Sequence, residues 1–134
     1  MSLIERLTAE HNALRDALQM INELRVSQPE GRDLIFKTKS LLLAHLALED
    51  KELYPALNRL AESKVLSSSF HQEMQDISVS VLAFFKKYDQ GITDGIEFAR
   101  DFGQIRAMLV QRMIREETRL YPAFKDAADL KVQT

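Results

Sequence analysis

The stretch HLALEDKELYPA, His45 to Ala56, decides how this chain is read, because RMIREETRLYPA, Arg112 to Ala123, nearly copies it. In each copy a glutamate stands four residues after the first position, and a proline six residues after that glutamate. Residues four apart lie one above the other on a helix face. His45 and Glu49 therefore reach one point, and Arg112 and Glu116 the corresponding point in the second copy. Proline ends or kinks a helix, so each copy reads as the last turns of a helix with a tyrosine packed over its end. Only the first copy begins with histidine, a residue the chain uses three times.

The periodicity around these copies is helical nearly throughout. From Ser2 to about Arg25, Ile4, Leu7, Leu14, Leu18 and Ile21 form a bundle seam at alternating three- and four-residue steps. The break SQPEGR follows, and a second helix is expected from about Asp33, as N-cap, toward Leu53. A third is expected to begin between Ser63 and Ser69, carrying Phe70, Met74, Ile77, Val81, Phe85 and Tyr88. After the glycine-containing break QGITDG, a fourth runs from about Ile96 to Tyr121, with Phe98, Phe102, Ile105 and Leu109 on one face. The tail beyond Pro122 reads as short, polar and frayed. Four such helices joined by short loops predict an all-α, antiparallel up-down-up-down four-helix bundle, a single domain over residues 1–134.

Composition narrows the function. The formal net charge is −2 and the charges are mixed along the chain, which leaves no footprint for nucleic acid. There are no cysteines, so disulfides, thiolate metal sites and thiol nucleophiles are excluded. The start MSLIERLTAEH has no signal-peptide pattern, and no apolar run approaches the ~20 residues that span a bilayer. A cytoplasmic protein without membrane contact is expected.

Polar residues interrupt every apolar stripe. His11 lies on the first, His45 and Glu49 on the second, His71 beside Phe70 and Met74 on the third, and Arg112 and Glu116 on the fourth. A further short repeat, HNALRD from His11 and HQEMQD from His71, makes the two halves look like related helix pairs. A lone inward histidine is ordinarily a hydrogen-bonded core residue. Three histidines and two carboxylates together would bury charges without partners, at several kcal/mol each, and a bound cation removes that cost. Imidazole and carboxylate without sulfur suit iron, zinc or manganese. The Glu-x-x-His of ferritin-type bundles is absent, since Thr8, Leu42 and Ser68 stand three before the histidines, and so is HExxH.

His11, His45-x-x-x-Glu49, His71 and Glu116, in this helix order and with ELYPAL after the second-helix motif, resemble the hemerythrin-like, or HHE cation-binding, domain family. The resemblance spans nearly the whole chain. It implies a non-haem di-iron centre in the bundle, with histidines as terminal ligands and the two glutamates bridging. It implies reversible binding of O2 or NO, sensing of oxygen or iron, or maintenance of iron–sulfur proteins. The candidate metal ligands are thus His11, His45, Glu49, His71 and Glu116, with Glu117 the alternative if the fourth helix is rotated.

The chain departs from the family at position 112, where a second His-x-x-x-Glu would place histidine. Arginine stays protonated and offers only donors, so it cannot bind a metal. Gln75 also stands where a further histidine is common. Either Arg112 swings outward and leaves a coordination position open, or its guanidinium fills the half-site and pairs with Glu116 or Glu49. Both readings predict a weakened centre, one iron or a labile pair, with another divalent metal as substitute. The alternative is a metal-free bundle kept as an interaction or signalling module. No separate acid–base or nucleophile constellation marks an enzyme. Phe84 falls outside the core seam, which would suit a protein partner or a homodimer. Tyr54 and Tyr121 read as local packing, although a phenolate can ligate ferric iron.

Overall fold

The computed structural model describes residues 2–23, 29–92 and 94–133, with side chains over 2–23, 32–92 and 94–127. Four long helices build an antiparallel bundle: α1 (Leu3–Glu23), α2 (Pro29–Leu48), α4 (Ala61–Lys87) and α5 (Gly95–Arg115). Two shorter ones, α3 (Tyr54–Asn58) and α6 (Tyr121–Gln133), extend α2 and α5 past the prolines. No strand occurs among the described residues.

The prolines do not end their helices, because each is preceded by a π-helical turn, Glu49–Leu53 and Glu116–Leu120. In both turns the backbone N–H of the tyrosine bonds five residues back, Tyr54 to Glu49 and Tyr121 to Glu116. The wider turn takes up one extra residue and shifts the register, so the proline that follows sits in the first turn of a new helix, where a missing N–H is harmless. The frayed tail expected after Pro122 is therefore replaced by α6. Two boundaries also move: α2 opens at Pro29 rather than at Asp33, and α4 at Ala61. The expected end of the first helix at Arg25 lies outside the described residues. Asp94 caps α5 as its side chain accepts from the N–H groups of Ile96 and Glu97, and Gly91 supplies the positive φ of the preceding turn.

Buried apolar residues form two separate clusters. The larger, toward the end of the bundle that holds the α4–α5 connection, includes Leu14, Leu18, Leu42, Met74, Phe84, Phe98 and Phe102. The smaller, around the proline turns, includes Ile4, Leu7, Leu53, Leu57, Phe70 and Leu120. The layer between them holds His11, His45, Glu49, Arg112 and Glu116. Phe84 belongs to the first cluster, packed against Phe85, Tyr88 and Phe98, and is not the exposed partner contact the sequence suggested. The α4 stripe is wide enough to turn both Phe84 and Phe85 inward.

Leu120 has no exposed surface, while Phe36 is 70 % exposed. Leu120→Ala should cost about 2–5 kcal/mol in chemical unfolding followed by circular dichroism, whereas Phe36→Ala should stay within about 0.5 kcal/mol of the parent.

Candidate metal centre

His11 comes from the middle of α1, His45 from the last turn of α2, and Glu49 and Glu116 from the first positions of the two π turns. Each is at most 2 % exposed. One ligand atom from each of the four lies within 4.8 Å of the other three. Ligand atoms held about 2.0–2.2 Å from one ion stand at most about 4.4 Å apart, so a contraction of a few tenths of an ångström would close them on a cation.

The hydrogen bonds explain why they need one. His11 Nδ1 lies 2.8 Å from Glu117 Oε2, and His45 Nδ1 lies 2.9 Å from Glu10 Oε1. Carboxylates only accept, so both imidazoles carry their proton on Nδ1 and turn Nε2 to the inside. There the two Nε2 atoms stand 3.0 Å from one another, and His11 Nε2 is 3.0 Å from Glu116 Oε1. Glu49 Oε2 is 3.5 Å from His45 Nε2. With neutral rings, lone pairs would face lone pairs here; a proton on His45 Nε2 or a cation relieves that. The Tyr121 hydroxyl contributes one proton, donated to Glu49 Oε2 at 2.9 Å with its oxygen 3.1 Å from His11 Nε2. Glu49 Oε1 and Glu116 Oε2 are buried with no hydrogen-bond partner. Such an excess of acceptors is complementary to a positive ion.

The outer carboxylates are themselves fixed. Arg15 grips Glu117 through two bonds of 2.9 and 2.8 Å, and Arg6 lies 3.5 Å from Glu10. Glu117 thus lies on the outer nitrogen of His11, while Glu116 is the one of the pair that joins the inner cluster. Glu10 and Arg15 are not legible in the sequence as site residues, and Tyr121 reads there as packing, with phenolate ligation as the lesser alternative. The first two sit at the rim of the α1 stripe, where charged residues are ordinary, and a tyrosine beside a helix end ordinarily packs locally.

His71 stands apart from the cluster, unlike the inward ring the sequence suggested. Its side chain is 41 % exposed, its Nε2 lies 3.3 Å from Asp50 Oδ1, and its ring stacks on Tyr54 with centroids 4.5 Å apart. Phe70, one residue earlier, takes the inward position on α4. Arg112 fills the space that separates His71 from Glu116. Its guanidinium lies 4.6 Å from the Phe70 ring, donates from Nη2 to the Tyr54 hydroxyl at 3.0 Å and to the Phe70 carbonyl at 2.9 Å, and places Nε 3.4 Å from Glu116 Oε2. The arginine is inside, at 3 % exposure.

Protonation follows the same geometry. Burial works against charge on His45, but hydrogen bonds to Glu116 and Glu49 outweigh it and push its pKa up to about 10. Burial and the neighbouring Glu116 push Glu49 up to about 7. Burial would raise Glu116 too, yet hydrogen bonds from His11 and His45 hold it well below the usual carboxylate range. A folded histidine pKa above its unfolded value adds stability below the unfolded value and loses it as pH rises through the folded one. Metal-free protein should therefore lose stability between pH 6.5 and about 10 in urea unfolding, and His45→Gln should flatten that slope.

Among comparisons with known proteins, the family model of the hemerythrin HHE cation-binding domain matches residues 2–124. Comparisons with curated proteins and with solved structures returned no match. With the match covering all four long helices and the buried His/Glu cluster between them, the chain belongs to the hemerythrin HHE cation-binding domain family.

Proposed function

We propose that the chain holds one non-haem iron ion through His11, His45, Glu49 and Glu116, and that this iron binds or senses a diatomic gas, O2 or NO. The observation that carries the reading is the pair of imidazole Nε2 atoms 3.0 Å apart, each ring anchored by a carboxylate on its far nitrogen. Two imidazoles with carboxylate suit a non-haem ferrous centre that keeps coordination positions open for an outside ligand. His11 and His45 present neutral nitrogens, Glu49 and Glu116 supply charge, and Glu117 and Glu10 fix the ring orientations. The Tyr121 hydroxyl keeps a proton at Glu49 Oε2, beside the centre. The apolar clusters above and below keep bulk water out.

One ion rather than two follows from Arg112. Its fixed charge beside Glu116 opposes a second divalent cation by about 8 kcal/mol at 4 Å for an effective dielectric constant near 20. A second reading, a metal-free bundle serving as an interaction module, draws on the same arginine. Arg112 and a protonated His45 would balance Glu49 and Glu116 with no ion.

Anaerobic titration with ferrous iron, followed by elemental analysis and optical spectra, separates these readings. One ion per chain is expected, with bands that change on exposure to O2 or NO. Two tightly held ions would remove the mononuclear reading, and none would leave the metal-free one. Arg112→His should raise the metal content toward two. Glu117→Gln should weaken iron binding by about ten- to a hundredfold, as loss of an outer ligand-orienting group does elsewhere.

A further inference from the structure

Between the start of α2 and the end of α4, at the end of the bundle away from the proline turns, lies an open-sided cavity of about 530 Å³. That volume falls in the range of small-molecule sites, ~300–1,000 Å³. Ile35, Phe85 and Tyr88 form its floor, each at most 6 % exposed. Phe36 stands on the rim with most of its ring in solvent. Arg32 precedes Phe36 by four residues and Lys39 follows it by three, so the three share one face of α2. Asp33 and Asp89 complete the lining.

Among the described side chains, none of Arg32, Asp33, Lys39 and Asp89 forms an ion pair, whereas Lys87, close by on α4, is bound to Glu97 and Asp101 of α5. The Tyr88 hydroxyl is turned the same way and donates to Asp101 at 2.6 Å, so the ring rather than the hydroxyl meets the cavity. Arg32 is laid across one end. Gly91 takes a positive φ of 114°, and a Cβ at that position would stand 3.9 Å from both Cδ and Nε of Arg32. The arginine stem therefore reaches from α2 to the turn behind α4. A solvent-facing aromatic ring with a cation about one turn to either side offers stacking and charge to one and the same molecule.

Each part of the lining selects one feature of that molecule. Phe36 and the aromatic floor take a flat ring. Arg32 and Lys39 take a phosphate, the arginine through its planar fork and the lysine as a point charge. The carboxylates of Asp33 and Asp89 only accept hydrogen bonds, so the ring must turn N–H donors toward them. Guanine carries a ring N–H and an amino group side by side on one edge, whereas adenine has the amino group alone. We propose that this cavity binds a guanine mononucleotide, its base stacked on Phe36 with its donor edge toward the two aspartates, its phosphate drawn by Arg32 and Lys39. The site shares no residue with the His/Glu cluster and stands independently of the metal-binding reading.

The test titrates full-length protein, with and without bound metal, with GMP, guanosine and AMP in a calorimeter. Saturable binding of GMP is expected, with the same affinity in both forms, and binding of AMP weaker by about tenfold or more. Phe36→Ala should weaken GMP and guanosine alike, by about five- to a hundredfold. Lys39→Met should weaken GMP by about tenfold and leave guanosine within about twofold, because only GMP carries the phosphate. Asp89→Asn should shrink the preference for GMP over AMP. These three side chains lie outside both buried clusters, so the variants keep the fold, which circular dichroism verifies. Absence of GMP binding, equal affinity for GMP and AMP, or unchanged GMP affinity in Phe36→Ala overturns the site. Binding of GMP to the metal-loaded form alone would put the phosphate on the ion at the His/Glu cluster and overturn it equally.

Discussion

Two imidazole rings whose inner nitrogens face one another at 3.0 Å set the terms for the rest of this molecule. Each ring is held from outside by a carboxylate, so neither can turn its proton inward without losing that bond. The apolar clusters on both sides deny water to the layer, and electrostatic terms are correspondingly stronger there. The arrangement tolerates few resolutions: a proton on His45 or a metal ion among the four groups. Everything around it is organised to keep that choice open, from Arg15 gripping Glu117 to the hydroxyl of Tyr121 on Glu49.

The internal repeat shows how the layer is built. His11 is stacked with Tyr121 and held by Glu117; His71 is stacked with Tyr54 and lies beside Asp50. Tyr54 and Tyr121 occupy equal places in the two LYPA copies, and Asp50 and Glu117 each follow the inward glutamate by one residue. Both halves therefore obey one plan, in which a histidine lies against the tyrosine of the opposite half. They differ where His45 is matched by Arg112. On the His45 side the imidazole of His11 turns into the centre. On the Arg112 side the guanidinium takes the interior, bonds Tyr54, and leaves His71 at the surface.

Spacing alone made much of this legible. The seam of α1 ran through His11, and the four-residue steps placed His45 with Glu49 and Arg112 with Glu116 on inward faces. The structure agrees because those steps precede the irregular turns. Periodicity could not show the π turns themselves, since a single extra residue reads the same as a helix ending at proline. That is why spacing does not reveal α6, and why a tyrosine at this place reads as local packing. Spacing also places His71 inward, whereas its side chain is 41 % exposed. It sits one position from Phe70 on a broad apolar face, and which of two neighbours turns inward depends on what fills the space opposite, here the guanidinium.

That guanidinium argues against simple decay of the second half. A buried cation with no compensation costs several kcal/mol, and a lost ligand replaced at random would leave such a charge poorly held. Arg112 is instead supported on several sides, by the Tyr54 hydroxyl, the Phe70 carbonyl and ring, and the carboxylates of Glu116 and Glu73. A metal ion can leave a site; a covalently tethered charge cannot. Replacing a histidine with this arginine therefore exchanges a removable charge for a permanent one. The asymmetry between the two copies, one imidazole and one guanidinium at the same position of the same motif, makes one half of the layer a place for an ion and the other a fixed wall beside it.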